Sequence, residues 1–268
     1  MKLTMPTAAL ATITLALAHT TAAAQSSRPK LHVNTRWKQC SFQLDPSLTQ
    51  SAWHQFTEEA GLVVYFRPLA DAQPMGRRKF ELSVLQWETG IDDASSAWND
   101  TFVHPDSTHW LFEGSRLKFP GLLLRAGVTD RTDVGVYLAK NFEANYGFFG
   151  GQLQRNVVDR GAWAASARAS FVSMFGPSDL DFIVYGVDVL ASRSLTLSRR
   201  VALSPYVGVS SYLASSHEQT AAVTLGDERV LGAHGSVGAA VAISRARLAV
   251  EYGVGRVNSL SFKVGIGH

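Results

Sequence analysis

The stretch that decides the fold is residues 163–191, WAASARASFVSMFGPSDLDFIVYGVDVLA, which reads as two strands joined by a turn at residues 176–179. In each strand, apolar side chains alternate with small or polar ones, so one face of the strand is apolar and the other is not. The charges inside the two strands, Arg168 and Asp188, both lie on the polar face. Their positions are symmetric about Ser178, and a simple hairpin register therefore predicts that they lie opposite each other.

The N-terminus has the features of a secretory signal peptide. Lys2 precedes an apolar, uncharged run over residues 8–18, and three small residues follow at 22–24. The run is well short of the roughly 20 apolar residues that a membrane-spanning helix needs. We therefore predict that residues 1–24 are a cleaved signal and that the exported chain begins near Gln25.

The composition narrows the possible partners. Cys40 is the sole cysteine, so an exported chain has no intramolecular disulfide on which to rely. The net charge is +3, and the dense basic runs at 77–79 and 199–200 are not interleaved with aromatic residues. A nucleic-acid partner is therefore not predicted.

Alternation of the same kind continues through most of the chain. It predicts eleven strands, at residues 62–68, 79–89, 116–128, 133–141, 146–156, 163–174, 182–192, 201–212, 235–243, 247–254 and 259–267. Most have about ten residues, the length that a tilted strand needs to cross a membrane. Two connections, 90–115 and 213–234, are long, and both follow an even-numbered strand of this series. They are therefore expected at the same end of the sheet.

The last hairpin, formed by the predicted strands 247–254 and 259–267, has the same pattern of alternating faces and inward charges as the central one. Glu251 and Lys263 lie on the polar faces of their strands and are symmetric about Val257, so we expect them to be direct cross-strand neighbours. Arg125 is a further inward charge. Together with Arg168 and Asp188, these side chains form either structural pairs that bridge an interior or the lining of a narrow aqueous path, and we favour the pairs.

The signal peptide, the two-faced strands and the alternating Leu260, Phe262, Val264 and Ile266 resemble bacterial outer-membrane β-barrel proteins over residues 61–268. The chain departs from that class at its last residue, His268, where an aromatic residue is usual. The resemblance implies an all-β, antiparallel transmembrane β-barrel of 10–12 strands in the bacterial outer membrane. It also implies contact with outer-membrane lipid, lipopolysaccharide and the barrel assembly machinery, and it makes small solutes possible ligands.

The class places long loops outside the cell and short turns in the periplasm, which predicts extracellular residues 90–115 and 213–234 and a periplasmic C-terminus. Barrels of single bacterial chains have an even number of strands. Either a twelfth strand at 31–41 precedes the others, or the short segment 62–68 is not part of the wall and the count is ten. Aromatic residues near strand ends are interpreted as interface girdles: Tyr206, Tyr212, Tyr252, Phe171, Phe175 and Trp163.

The N-terminal extension, residues 25–60, is predicted to contain one short amphipathic helix. Residues 45–47 supply an N-cap and a proline for the first turn, and apolar residues follow at spacings of four from Leu48 to Ala60. Gly61 is interpreted as the stop. We favour a helix packed on the barrel end or inside its mouth over a plug or a membrane-surface helix.

Two loop motifs carry residue types that are used in chemistry. His104, Asp106 and His109 have a spacing that a metal ion could use, but Pro105 interrupts it and no fourth ligand is indicated. We predict instead a solvated loop anchored by Trp98 and Trp110.

The cluster at residues 215–218, Ser-Ser-His-Glu, has the residue types of a hydrolase. Neighbours in sequence seldom form a triad. The sequence therefore predicts no catalytic, metal or cofactor site, and a small pore or a structural component of the envelope. A lipid-modifying hydrolase and a surface adhesion protein are the alternatives.

Overall fold

The computed structural model describes residues 41–92, 94–103, 112–113 and 116–268. In chain order, its elements are β1 (Ser41–Phe42), α1 (Gln50–Val64), β2 (Phe80–Gly90), α2 (Ser96–Asn99), β3 (Phe102–Val103), β4 (Phe112–Glu113), β5 (Arg116–Gly127), β6 (Thr132–Lys140), β7 (Gly147–Arg160), β8 (Trp163–Phe175), β9 (Leu180–Arg193), β10 (Leu195–Ser198), β11 (Val201–Glu218), β12 (Glu228–Ile243), β13 (Ala246–Val254) and β14 (Ser259–Gly267).

Ten long antiparallel strands form a closed barrel. The order β2-β5-β6-β7-β8-β9-β11-β12-β13-β14 returns to β2, because β14 pairs with β2 and β9 pairs with β11. The short β10 pairs only with the start of β11, and β1 and β3 form a small separate sheet. The predicted all-β, antiparallel barrel with a short helix is confirmed.

The two faces of the wall differ as the alternation predicts. Outward positions carry exposed apolar side chains, such as Val136, Val187, Val209 and Val264, while inward positions include buried polar and charged ones. This outward apolar belt is the surface that lipid covers in a membrane barrel. Among the residues with described structure, neither helix has the length and apolarity needed to cross a bilayer.

The predicted strand at residues 62–68 is wrong, and the alternative count of ten is right. Residues 62–64 are the last turn of α1. Residues 65–79, here called the lumen segment, run through the barrel interior as far as its inner end, where 77–79 are exposed. Their apolar side chains are buried against the inner face of the wall, which satisfies the same pattern that suggested a strand. A twelfth strand at 31–41 falls almost entirely outside the described residues, and the wall closes without it.

The helix begins and ends later than predicted. Thr49 is the N-cap, and its side chain accepts a hydrogen bond from the backbone N–H of Ala52 at 3.3 Å. Gly61 does not end the helix, which continues to Val64. Its lack of a side chain is instead needed for packing. A Cβ atom at this position would lie 2.7 Å from the ring of Tyr212 and 2.8 Å from the side chain of Ala214. The missing side chain therefore lets α1 pack directly on β11 inside the barrel mouth.

Both long connections lie at one end of the barrel, as predicted. The second is shorter than expected, because β11 and β12 stay paired as far as Ser216 and Glu228 and leave only residues around 219–227 to connect them. We call this end the outer end and the opposite end the inner end, following the rule that long loops are extracellular. The helix α1 lies at the outer end.

Candidate functional site

The interior of the barrel is occupied by the chain's own lumen segment. At its start the Tyr65 hydroxyl donates to Asp188 at 2.6 Å, and further along the backbone N–H of Ala72 donates to the Ser192 hydroxyl at 3.1 Å. Near its end the N–H of Met75 donates to the carboxylate of Asp133, which lies at the inner end. The segment thus crosses the lumen from the outer end to the inner end, where β2 begins.

A buried ion pair lies at the centre of this interior. Arg168 and Asp188 are direct cross-strand partners, as the hairpin register predicts, and Arg168 Nε donates to Asp188 Oδ2 at 2.8 Å. Both side chains are 0% exposed. The other carboxylate oxygen of Asp188 accepts from Tyr65 and, at 2.5 Å, from Ser210. The carboxylate is therefore satisfied by three donors, as a buried charge requires.

The same arginine binds the lumen segment to the wall. Its remaining nitrogens donate to Gln152 Oε1 at 2.8 Å and to the backbone carbonyl of Phe66. The guanidinium also lies over the rings of Tyr65 and Phe66, at 5.9 and 5.3 Å from their centroids. Arg168 thus holds two wall strands and the lumen segment together in one arrangement.

A closed ladder with an apolar outer face and a polar, charged interior is what a protein needs to span a bilayer with strands, because no backbone edge is left unpaired in the hydrocarbon. The protein is an outer-membrane β-barrel.

Three inward glycines of this outer-membrane β-barrel receive aromatic rings. A Cβ atom at Gly186, Gly232 or Gly238 would come closer than 3.0 Å to the ring of Tyr65, Tyr212 or Tyr206, respectively. The girdle interpretation is therefore wrong for Tyr206 and Tyr212, which face inward at 2% exposure. Tyr252, Phe171, Phe175 and Trp163 face outward and are exposed, which a girdle requires, and for them the interpretation stays a prediction.

The predicted pairing of Glu251 with Lys263 is wrong. The β13–β14 register is centred on Arg256, one residue before Val257, so Glu251 faces Ser261 and Lys263 faces Ala249. The inward side chains find other partners within the barrel.

Lys263 Nζ lies 2.6 Å from Glu81 of the neighbouring strand β2, and the Tyr206 hydroxyl donates to Glu251 at 3.0 Å. Arg125 faces inward as predicted and pairs with Asp133 at 3.3 Å. Glu81 occupies an inward position in the alternating pattern of β2, and this pattern could have identified it from sequence as a partner for an inward lysine. The role of Tyr65 had no such signal, since it depends on the path of the lumen segment.

The strand structure separates the residues of the Ser-Ser-His-Glu cluster. Ser216 faces the lumen, where its hydroxyl lies 2.6 Å from that of Thr57 in α1. His217 faces outward, and its Nδ1 lies 2.6 Å from Asp227 Oδ1, a residue of the connection between β11 and β12. Ser215 shares the outward face with His217 because successive residues of a strand alternate.

The proposed metal spacing at His104, Asp106 and His109 lies outside the described residues, as does Trp110. Trp98 is buried, and its indole N–H donates to Glu59 of α1 at 2.6 Å. Within the described part of the chain, no group of three or more His, Cys, Asp or Glu side chains is arranged to hold a metal ion.

Comparison with known proteins gives a likeness in fold only. No family model and no curated protein matches the sequence. Among solved structures, an outer membrane channel from Pseudomonas putida F1 is similar at 11% identity, covering 76% of this chain and 100% of the other, with a TM-score of 0.44.

The attachment invasion locus protein Ail of Yersinia pestis is 12% identical and covers 71% of this chain and 97% of its own, with a TM-score of 0.33. LpxR from Salmonella typhimurium is 11% identical over 70% of this chain and 99% of its own, with a TM-score of 0.34.

Proposed function

We propose that the protein is a closed structural component of the outer membrane, with a lumen that the lumen segment blocks. The observation that carries this proposal is the position of Arg168. It is fully buried at mid-wall and donates to Asp188, to Gln152 and to the lumen segment at Phe66.

Opening a pore past this point requires that the lumen segment leave. Movement of the segment would remove the Tyr65 hydrogen bond from Asp188 and the backbone acceptor from Arg168. A buried polar group left without its partner costs about 1–3 kcal/mol, and more when it is charged. Several such costs would be incurred together, which favours the closed state over a pore that small solutes cross.

A disulfide between the lumen segment and the wall tests this proposal. Ala72 and Ser192 are neighbours, joined by a 3.1 Å hydrogen bond, so cysteines at both positions in a Cys40→Ser background would lock the segment. We expect no stable conductance steps in a planar bilayer from the locked or the reduced protein. The single-cysteine variants are the controls, and heat-modifiable gel mobility checks that each variant is folded.

Either of two results would contradict the proposal. Steps that persist in the locked protein would mean that a path runs beside the segment. Steps that occur only after reduction would mean that the segment moves and that the protein is a gated pore.

A second candidate function, ester hydrolysis of membrane lipid at the outer end, is favoured by the contact between His217 and Asp227. An aspartate on Nδ1 orients the imidazole so that Nε2 can take a proton from a serine hydroxyl. Ser215 lies on the same face. Its Oγ would attack the acyl carbonyl, His217 would pass the proton to the departing alcohol, and water would then release the fatty acid.

This second function predicts that purified protein releases fatty acid from lipid micelles and that Ser215→Ala abolishes the release. The control is Ser211→Ala, which changes another outward serine of β11 whose hydroxyl donates to the Gly232 carbonyl. Absence of release by the unmodified protein, or equal release by Ser215→Ala, would rule the function out.

A further inference from the structure

Exposed basic residues collect at the inner end of the barrel. Five connections close this end, at residues 76–79, 128–131, 161–162, 194–200 and 244–245. Four of the five carry exposed arginine or lysine, and Asp130 is the sole acidic residue among them. We call the basic residues the inner ring: Arg77, Arg78, Lys79, Arg131, Arg199, Arg200 and Arg245. The inner end therefore carries a dense positive charge.

The fold produces this ring, and the overall composition does not. The basic runs at 77–79 and 199–200 are far apart in sequence, and closure of the barrel brings both to one end, with Arg245 in the connection between them. At the outer end, the described connections between wall strands contain one basic residue, Arg256, together with carboxylates such as Asp179 and Asp227. The positive charge is thus a property of one end of the molecule.

The charges of the inner ring are available to a partner. The buried cations of the interior are paired inside the protein, Arg168 with Asp188 and Lys263 with Glu81. In contrast, no side chain of the ring forms an ion pair with any residue that the structure describes. A ring of like charges repels itself, and an anionic partner relieves this repulsion.

Backbone hydrogen bonds hold the ring residues in fixed positions. The carbonyls of Arg131, Arg200 and Arg245 each accept a hydrogen bond at 2.8 Å from the N–H of a neighbouring strand or connection. The turn before β2 is tied to the end of β5, where the Arg78 N–H donates to the carbonyl of Gly127 at 3.0 Å. A partner that binds the ring therefore orders side chains but not the backbone, which lowers the entropic cost of binding.

The position of the ring distinguishes it from the lipid-facing wall. The outward residues at the strand ends are apolar and exposed, including Phe80 of β2 and Ile243 of β12, so the apolar belt extends to the last residues of these strands. The ring lies in the connections beyond the belt. Lys79 also lines a cavity of about 250 Å³ at the mouth of the lumen, which lipids around the circumference do not reach. A partner that engages the whole ring therefore approaches along the barrel axis, from the periplasm.

The chemistry of the ring favours a partner with many anionic groups. One exposed charge contact changes an affinity by a factor of about five at most, because water and salt screen it. Binding becomes strong when one partner engages several such charges at once. We propose that the inner ring docks on peptidoglycan, the polymer of the periplasm that carries repeated carboxylates on its peptides. The phosphates of inner-leaflet phospholipids are the competing anions, and the experiment below separates the two.

Co-sedimentation of the purified full-length protein, in a neutral detergent, with isolated cell-wall sacculi tests this docking. The ring variant carries one change in each of three connections: Arg77→Gln, Arg199→Gln and Arg245→Gln. The matched control loses the same charge at the outer end, through Arg116→Gln, Arg229→Gln and Arg256→Gln. Sacculi whose carboxylates have been amidated test the chemistry of the partner with the unmodified protein. Heat-modifiable gel mobility identifies the variants that fold.

We expect the unmodified protein and the control to bind sacculi equally, and the ring variant to bind about tenfold more weakly, since each exposed charge contributes a factor of a few. Binding should weaken as sodium chloride is raised, because salt screens exposed charges, and it should be lost with amidated sacculi. Equal binding by the ring variant and the control, or undiminished binding to amidated sacculi, would overturn the proposal.

Native mass spectrometry of retained phosphatidylglycerol separates the cell wall from the membrane as the partner. We expect the ring variant to retain as much of this lipid as the unmodified protein. Loss of the lipid from the ring variant, without weaker binding to sacculi, would assign the ring to the membrane surface instead. Labelling of Arg245→Cys in intact cells would place the ring outside the periplasm and contradict the docking as well. None of these outcomes depends on whether the lumen conducts.

Discussion

The guanidinium of Arg168 joins three parts of the chain: Asp188 of β9, Gln152 of β7 and the carbonyl of Phe66 in the lumen segment. The hairpin register predicted the first of these contacts from sequence. Gln152 lies on the adjacent strand β7, two positions from the residue opposite Arg168, so its contact depends on how the two long side chains extend. The Phe66 contact was not predictable, because it depends on the path of the lumen segment. Arg168, which was predicted from its pairing in one hairpin, therefore also binds the lumen segment to the wall.

Replacing Arg168 alone should destabilise the barrel more than replacing both members of the pair. Arg168→Ala leaves the charge of Asp188 buried with only the Tyr65 and Ser210 hydroxyls, and breaking a buried pair in this way costs about 3–5 kcal/mol. The double change Arg168→Ala with Asp188→Ala removes that uncompensated charge. The measurement is the free energy of unfolding in urea, taken as a double-mutant cycle.

The matched control is Arg193→Ala, an exposed arginine at the end of β9 that lies over the ring of Trp163 at 5.4 Å. Its effect should stay within about 0.5 kcal/mol, as is usual for surface substitutions. Strictly additive effects of Arg168→Ala and Asp188→Ala would contradict the coupling that this geometry requires.

At the scale of elements, α1 shows how packing changes the meaning of a local signal. Glycine just after an apolar helical pattern commonly marks the C-terminus, yet α1 continues for three residues past Gly61. Burial of Leu62, Val63 and Val64 in the barrel mouth favours the extra turn. The helix tolerates glycine in its interior because only glycine lets it approach β11 this closely.

The substitution Gly61→Ala distinguishes the effect of glycine on helix propensity from its effect on the packing of α1 against β11. In an isolated helix, alanine is about 1 kcal/mol more favourable than glycine, so a helix limited only by propensity would gain stability. Here the new methyl group would meet Tyr212 and Ala214 at 2.7 and 2.8 Å, and we expect a loss of about 1–3 kcal/mol from overpacking. The temperature at which heat-modifiable mobility is lost reports the change.

Ser51→Ala, on the exposed face of the same helix, is the control and should leave that temperature nearly unchanged. A higher temperature for Gly61→Ala would mean that α1 does not pack against β11 as described.

At the scale of the whole molecule, the ends of the barrel assign its orientation. The first wall strand, β2, starts at the inner end, so both long connections follow odd-numbered strands of the ten and still emerge together. Because the predicted strand at 62–68 is not part of the wall, the number of each later strand falls by one. The two long connections still lie at the same end of the barrel. The orientation itself stays a prediction from loop lengths.

Labelling of intact cells with a membrane-impermeant maleimide measures the orientation. In a Cys40→Ser background, we expect Ala222→Cys, exposed in the connection between β11 and β12, to be labelled. Asp130→Cys and Arg245→Cys, exposed in short turns at the inner end, should react only after the cells are permeabilised. The reverse pattern would invert the assignment of outer and inner ends.

The sequence by itself determined the strands of the wall, their inward and outward faces, the common side of the long connections and the Arg168–Asp188 pair. These features follow from a period of two along each strand and from a register that a short turn sets, which are both local. Tertiary structure alone decided what fills the interior. The inward-facing Gly186, Gly232 and Gly238 each receive a tyrosine ring, which no local pattern indicated.

The partners of Glu251 and Lys263 were also decided by tertiary structure. A one-residue difference in the centre of the β13–β14 turn moved each side chain by two positions relative to the other, and Lys263 then met Glu81 across the closure between β14 and β2. Contacts of this kind join residues far apart in sequence. No local pattern encodes them, because they depend on how the closed wall and the lumen segment fit together in space.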